Sequence, residues 1–179
     1  VNDDMRNVEE IRTKANNYMD LPRPYAGETR VLHFLEVLRD QIGFDKVKEK
    51  VVNPLTGKKI GAYYGCLLLR PGKILAFDDP ENPKIMEDFI RAIGAEPVIY
   101  PYRNECCGGY ISLKEQEMAG EMCRKIGASA EGFGADMLIT ACPLCMYNLN
   151  KNLEGGLPVY YFTELLAEAL GVKDEVKVK

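Results

Sequence analysis

Asp136-Met137-Leu138-Ile139-Thr140, followed at once by Ala141-Cys142-Pro143-Leu144-Cys145, decides the fold. A short apolar run of this length suits a buried strand. Proline is favoured in the first turn of a helix, so Pro143 opens a helix expected to run to Lys151. Cys142 then stands at a helix N-terminus, just beyond the end of a strand. Outward from this stretch the same pattern recurs. Lys59-Ile60-Gly61-Ala62-Tyr63-Tyr64 predicts a strand ending at Gly65-Cys66, and Pro97-Val98-Ile99-Tyr100 predicts one leading to Cys106-Cys107-Gly108-Gly109. Val159-Tyr160-Tyr161-Phe162 predicts a fourth.

Helical spacing fills the intervals. Thr29 is expected to cap a helix in which Val31, Leu32, Leu35, Leu38 and Ile42 share a face and which Gly43 closes. A short helix is expected from Phe44 to Val51, and another opened by Asn82-Pro83 and running to Ile93. A long helix follows from Ser112 to Gly127, with a further turn to Phe133, and Thr163 is expected to cap Glu164 to Leu170 ahead of a fraying, lysine-rich tail. Strands alternating with helices imply βαβ units. The expected fold is α/β, an open, mainly parallel sheet of about four strands flanked by helices, Rossmann-like or flavodoxin-like.

Residues 1–28 are polar, with one short helix from Val8 to Tyr18 ended by Leu21-Pro22-Arg23-Pro24, and are expected to form a connector or N-terminal arm to a cysteine-rich domain at 29–179. The whole is 179 residues, 46% apolar and 28% charged, with a formal charge of −4, which fits a soluble globular chain and gives no basis for nucleic-acid binding. No run approaches the roughly 20 apolar residues of a membrane span. The polar N-terminus is not a secretory signal, and its first residue, valine, suggests an excised fragment or a processed chain. A cytoplasmic location and reduced thiols are expected.

The cysteines carry the chemistry. They read C-x39-C-C-x34-C-x2-C over Cys66, Cys106, Cys107, Cys142 and Cys145. Each group lies just past the C-terminal end of an expected strand, the edge where open α/β sheets bind ligands. One βα unit between successive groups explains the long spacings, so thiols distant in sequence are expected to meet. Adjacent thiols on an extended strand point to opposite faces; Gly108-Gly109 supplies the turn that lets both reach one centre. Thiolates ligate iron–sulfur clusters and zinc. A fifth thiol and a vicinal doublet favour a multi-iron centre over an ordinary four-ligand zinc site. Cys123, within the long helix, reads as a small buried hydrophobe. His33 reads as a packed, hydrogen-bonded residue, with proton transfer as the alternative. Arg70 and Arg103 lie near the thiols in sequence and are candidates to attract an anionic substrate. Tyr63, Tyr64, Tyr100 and Tyr102 read as strand packing.

These motifs resemble the cysteine-rich CCG domain of the heterodisulfide reductase B-subunit family. The resemblance rests on the five-cysteine pattern, on Tyr63-Tyr64-Gly65-Cys66-Leu67-Leu68-Leu69-Arg70-Pro71, on Phe77-Asp78-Asp79-Pro80-Glu81-Asn82-Pro83 and on His33-Phe34-Leu35-Glu36-Val37-Leu38. It spans residues 31–162, and the 34-residue gap before Cys142 is at the short margin of the family pattern. The resemblance implies a noncubane 4Fe–4S cluster held by the five cysteines, one of them bridging, and cleavage of a small-molecule disulfide with electrons from a partner iron–sulfur subunit. It implies two such domains per subunit, so one alone is not expected to be a complete catalytic unit. Alternatives are a zinc-stabilised or metal-free subunit-assembly domain, a dithiol enzyme using Cys142 and Cys145 alone, and a CCG domain of a hydroxy-acid or succinate oxidoreductase.

Overall fold

The computed structural model describes residues 1–20, 22–153 and 155–173. Its centre is a sheet of four strands, β1 (Lys59–Tyr63), β2 (Glu96–Val98), β3 (Met137–Thr140) and β4 (Val159–Tyr161), in the order β2-β1-β3-β4. Every pairing is parallel, with Gly61 opposite Val98 and Leu138, Tyr63 opposite Thr140, and Thr140 opposite Tyr161. The α/β expectation holds, and the order 2-1-3-4 is that of flavodoxin-like sheets, whose switch point lies between β1 and β3. β1 delivers Cys66 and β3 delivers Cys142, so thiols flank the switch point.

Helices enclose this sheet. α1 (Asn2–Asn7) and α2 (Glu9–Met19) form the N-terminal segment; α2 matches the expected helix, and α1 is an addition whose Asp3 and Asp4 suit a helix N-terminus. Asp20 closes α2 in the left-handed region; Leu21, expected to help end it, lies outside the described residues. The next helix starts later than expected. Residues 29–33 are not helical, and His33 rather than Thr29 caps α3 (Phe34–Glu36), which runs on as a π-helical stretch, Val37–Ile42. The cap is reciprocal: His33 Nδ1 accepts the Leu35 N–H and Glu36 accepts the His33 N–H. His33 also lies edge-on to Phe77, 5.3 Å between centroids, which fixes it there rather than on a helix face.

The remaining helices are α4 (Phe44–Lys50), α5 (Gly72–Leu75), α6 (Ile85–Ala92), α7 (Gln116–Gly132), α8 (Pro143–Asn152) and α9 (Phe162–Ala169). α6 begins three residues after Asn82 because Asp78 accepts the Lys84 and Ile85 N–H groups and sets the start there. α7 continues through Gly127 without a break. α9 is capped from Tyr161, not Thr163, because Glu164 reaches back to the Tyr161 N–H at 2.7 Å. The fraying tail, 174–179, lies outside the described residues. No helix among the described residues is long and apolar enough to cross a membrane.

Alternation along β1 divides the core. Ile60, Ala62 and Tyr64 join Phe89, Ile90 and Phe162 in one cluster, while Tyr63 joins Leu138, Ile126 and Leu149 in the other.

Candidate metal centre

Three loops at the C-terminal edge of the sheet position the site. After β1 the chain turns through Gly65, at φ +66, where a Cβ would stand 3.1 Å from Cys145 Sγ. Glycine is needed here both for the left-handed turn and for the sulfur's approach. After β2 the chain passes through a 3₁₀ turn, Pro101–Asn104, into the cysteine doublet. Gly108 has φ +76 and lies so close to α7 that a Cβ would meet Ala119 Cα at 3.0 Å. This is the turn the doublet requires: the Gly108 N–H donates to Cys106 Sγ at 3.3 Å, and Cys107 is buried on the other side. After β3, Cys142 caps α8, its sulfur accepting the Cys145 N–H at 3.4 Å.

The five thiols converge as expected. Cys66 and Cys106 approach to 3.8 Å between sulfurs, and Cys107 and Cys145 to 3.6 Å. Both separations are too long for a disulfide, whose sulfurs lie about 2.05 Å apart. All five line one cavity of about 100 Å³, whose other walls are chiefly Tyr64, Leu67, Leu68, Tyr110 and Leu144. Among the described residues no three His, Cys, Asp or Glu side chains gather closely enough to hold a single metal ion. The thiols instead surround a space.

Their proton affinities differ by environment. Hydrogen bonding to Cys145 draws Cys107 and Cys142 down to about 6, and backbone N–H groups help both. Cys145, facing both of them, is pushed upward. Burial, then the neighbouring Cys106, raises Cys66. Lowered thiols at a helix N-terminus and at a turn rich in N–H donors are those ready to act as thiolate ligands.

Other candidates fall outside the cavity. Cys123 is fully buried in α7, where burial pushes it up to about 12, and it donates to the Cys107 carbonyl at 3.4 Å. Arg70 is engaged by the Asn104 and Pro80 carbonyls and by Glu81, so it ties loops together. Arg103 is buried and serves the interior. His33 packs between Phe77 and Phe162. Two residues whose roles the sequence did not announce prove important. Asn148, 1% exposed, donates to the Cys107 carbonyl at 2.5 Å and so ties the doublet to α8. It stands three residues after Cys145, one helical turn along, and that spacing is a usable signal. Tyr64 lines the cavity, and its hydroxyl donates to Glu87.

The model of the CCG cysteine-rich domain family matches residues 60–150, about half the chain and the span that holds all five thiols. The chain belongs to this family. It is 32% identical over 157 residues to the 8-methylmenaquinol:fumarate reductase membrane anchor subunit of Wolinella succinogenes, covering 83% of this chain and 55% of that one. It is 27% identical over 191 aligned positions to the B-subunit of the ferredoxin/F(420)H(2)-dependent CoB-CoM heterodisulfide reductase of Methanosarcina acetivorans, covering 99% of this chain and 63% of that one. It is also 27% identical over 180 positions to a heterodisulfide reductase B-subunit-like protein of Archaeoglobus profundus, covering 93% and 60%. This CCG chain thus spans somewhat over half the length of these relatives. The heterodisulfide reductase resemblance is supported, and the relatives are oxidoreductase subunits.

Proposed function

We propose that this CCG domain holds an iron–sulfur cluster through Cys66, Cys106, Cys107, Cys142 and Cys145 and serves a heterodisulfide reductase-like oxidoreductase. The observation that carries this reading is the convergence of five thiols from separate loops on one cavity. Among the described residues no histidine or carboxylate lines that cavity, so the donor set is all sulfur, the set that suits iron–sulfur clusters. Two close pairs around a space suit a multinuclear centre, such as a noncubane 4Fe–4S cluster, better than one zinc ion drawn to a point. Residues 1–28 are read as an arm or connector to a further domain.

The chemistry balances simply. A disulfide takes two electrons and two protons to give two thiols; the bound cluster would supply electrons one at a time, drawn from a partner iron–sulfur subunit. The chain's own contribution is placement. Lowered Cys107 and Cys142 ligate without strong base, the N–H groups at Gly108 and Cys145 aim at sulfur, and Leu67, Leu68, Tyr110 and Leu144 keep the walls apolar. Apolar walls and N–H donors are the features that tune a cluster's potential. Neither Arg70 nor His33 touches the cavity, so neither is assigned a catalytic role.

The fumarate reductase relative favours one second reading, a CCG domain relaying electrons in a carboxylic-acid oxidoreductase with no disulfide substrate. Anaerobic reconstitution followed by iron and sulfide analysis and EPR tests the cluster. Zinc alone, with no paramagnetic species in any redox state, defeats it and leaves the assembly-domain alternative. Adding a mixed disulfide to the reduced, loaded complex then separates the two oxidoreductase readings: spectral change and thiol release support the first, and no response supports the second.

A further inference from the structure

The interior beside the thiols contains two charges that nothing in the chemistry above uses. Glu87 is 2% exposed and Arg103 7%. They face one another with Arg103 Nε 3.4 Å from Glu87 Oε1, yet the approach is poorly aligned, and both atoms are without a hydrogen-bond partner among the described residues. Burying a carboxylate and a guanidinium costs several kcal/mol per ion, and replacing such a pair by apolar side chains is often neutral or stabilising. Stability is therefore a weak reason for a small domain to carry this one. Conformational registry is the better-attested use of buried charge.

The connections of the pair show what would be kept in register. Glu87 lies on α6 and accepts the Tyr64 hydroxyl through Oε2. That hydroxyl in turn accepts the Met86 N–H at 2.9 Å. Arg103 donates through Nη2 to Asn82 Oδ1 at 2.7 Å, and its carbonyl accepts the Tyr64 N–H at 2.8 Å. Tyr64 precedes Cys66 by two residues, and Arg103 precedes Cys106 by three. The buried group thus joins the root of one thiol loop to the root of the next, anchoring both on the start of α6. The other close pair has separate supports: Cys107 is tied by Asn148, and Cys145 sits in α8 itself.

We propose that Glu87, Arg103 and Tyr64 are positioning residues that set the separation of Cys66 and Cys106, independently of the Cys107–Cys145 pair. The inference needs only the thiol geometry of this chain and not the identity of the metal, so it can fail while the cluster reading stands, and the reverse.

The test uses the full chain, metal-free, reduced and free of oxygen, treated with dibromobimane, which bridges neighbouring thiols. Bridged peptides are then located by mass spectrometry. The parent chain gives both the Cys66–Cys106 and the Cys107–Cys145 bridges. The double substitution Glu87→Leu with Arg103→Met removes the charges while keeping the interior filled. It is expected to keep its urea midpoint and its Cys107–Cys145 bridge while Cys66–Cys106 bridging slows by about fivefold, the factor set by losing a buried hydrogen bond. A folded double variant with both bridges unchanged, or with both slowed equally, overturns the proposal. If that variant does not fold, Tyr64→Phe decides, because it removes only the hydroxyl. Selective slowing of the Cys66–Cys106 bridge supports the proposal, and unchanged bridging overturns it.

Discussion

On one face of the sheet Ile60, Ala62 and Ile139 pack against α6 and α9 through Phe89, Ile90 and Phe162; on the other, Tyr63 and Leu138 share a cluster with Cys123 of α7, Cys145 of α8 and Cys107 of the doublet loop. The first cluster is built of aliphatic and aromatic side chains and Met86, with Phe89 edge-on to Phe162 at 5.6 Å. The second includes three buried thiols, and two of them line the thiol cavity. One face therefore gains its stability from buried apolar area. The other gives up part of that gain to keep reactive groups beside a space. Both faces share the same strands, so the division follows from the two-residue period of the strand.

If that division is sound, its largest signature is Phe89→Ala. Emptying a fully buried aromatic site is expected to cost about 3–5 kcal/mol in urea denaturation of the metal-free chain. A loss below about 1 kcal/mol would mean that the first face is not the stabilising one. On the thiol face, Asn148→Ala leaves the Cys107 carbonyl with only the weaker Cys123 thiol as donor. The expected cost is about 1–3 kcal/mol, with faster alkylation of Cys107 as the doublet comes away from α8. Equal protection of Cys107 in parent and variant would show that Asn148 does not hold the loop.

Gly65→Ala is expected to be milder for stability, about 1–2 kcal/mol from the left-handed backbone. Its effect on the site is larger, because the new methyl would crowd Cys145 Sγ. Iron retained after anaerobic reconstitution should fall well below the parent's while the far-ultraviolet spectrum is kept; full retention sinks the idea. The smallest effect concerns pH. Burial raises Glu87 above the usual carboxylate value of 4.5, opposed by Tyr64 and Arg103 and aided by Asp78, with Tyr100 nearby. The folded chain thus binds the proton more tightly than the unfolded one. That contribution to stability is complete below the ordinary carboxylate value and is lost as pH rises through the folded one. A side-chain amide has no such proton to lose, so the stability of the parent relative to Glu87→Gln should be highest in acid and fall as pH rises toward neutrality. A parent that instead gains on the variant as pH rises reverses the sign.

Much of this was legible in the chain itself, for identifiable reasons. Strands and thiols were readable because short apolar runs end directly at Cys66 and Cys142. The helix starts were less so, because tertiary contacts rather than local capping chemistry decide where they fall. Thr29 and Thr163 have the better capping chemistry, but His33 is fixed by Phe77 and Phe162, and Glu164 reaches the Tyr161 N–H. Gly127 looks like a helix stop. It instead gives α7 a close approach to Leu153, whose Cδ2 would lie 2.7 Å from a Cβ there. Glu87 was the least readable. Its partners, Tyr64 and Arg103, come to it only through the tertiary fold, and no local spacing announces a buried pair.

The register of β1 against β3 also bears on how such a chain is made. Tyr63 and Thr140 stand opposite one another across a long stretch of intervening sequence, and the thiols just beyond each depend on that alignment. A ribosome releases the earlier thiols long before the last one emerges, and pairing so distant in sequence forms slowly. On the proposed cluster reading, metal delivery follows the assembly of the sheet, once Cys142 and Cys145 have emerged.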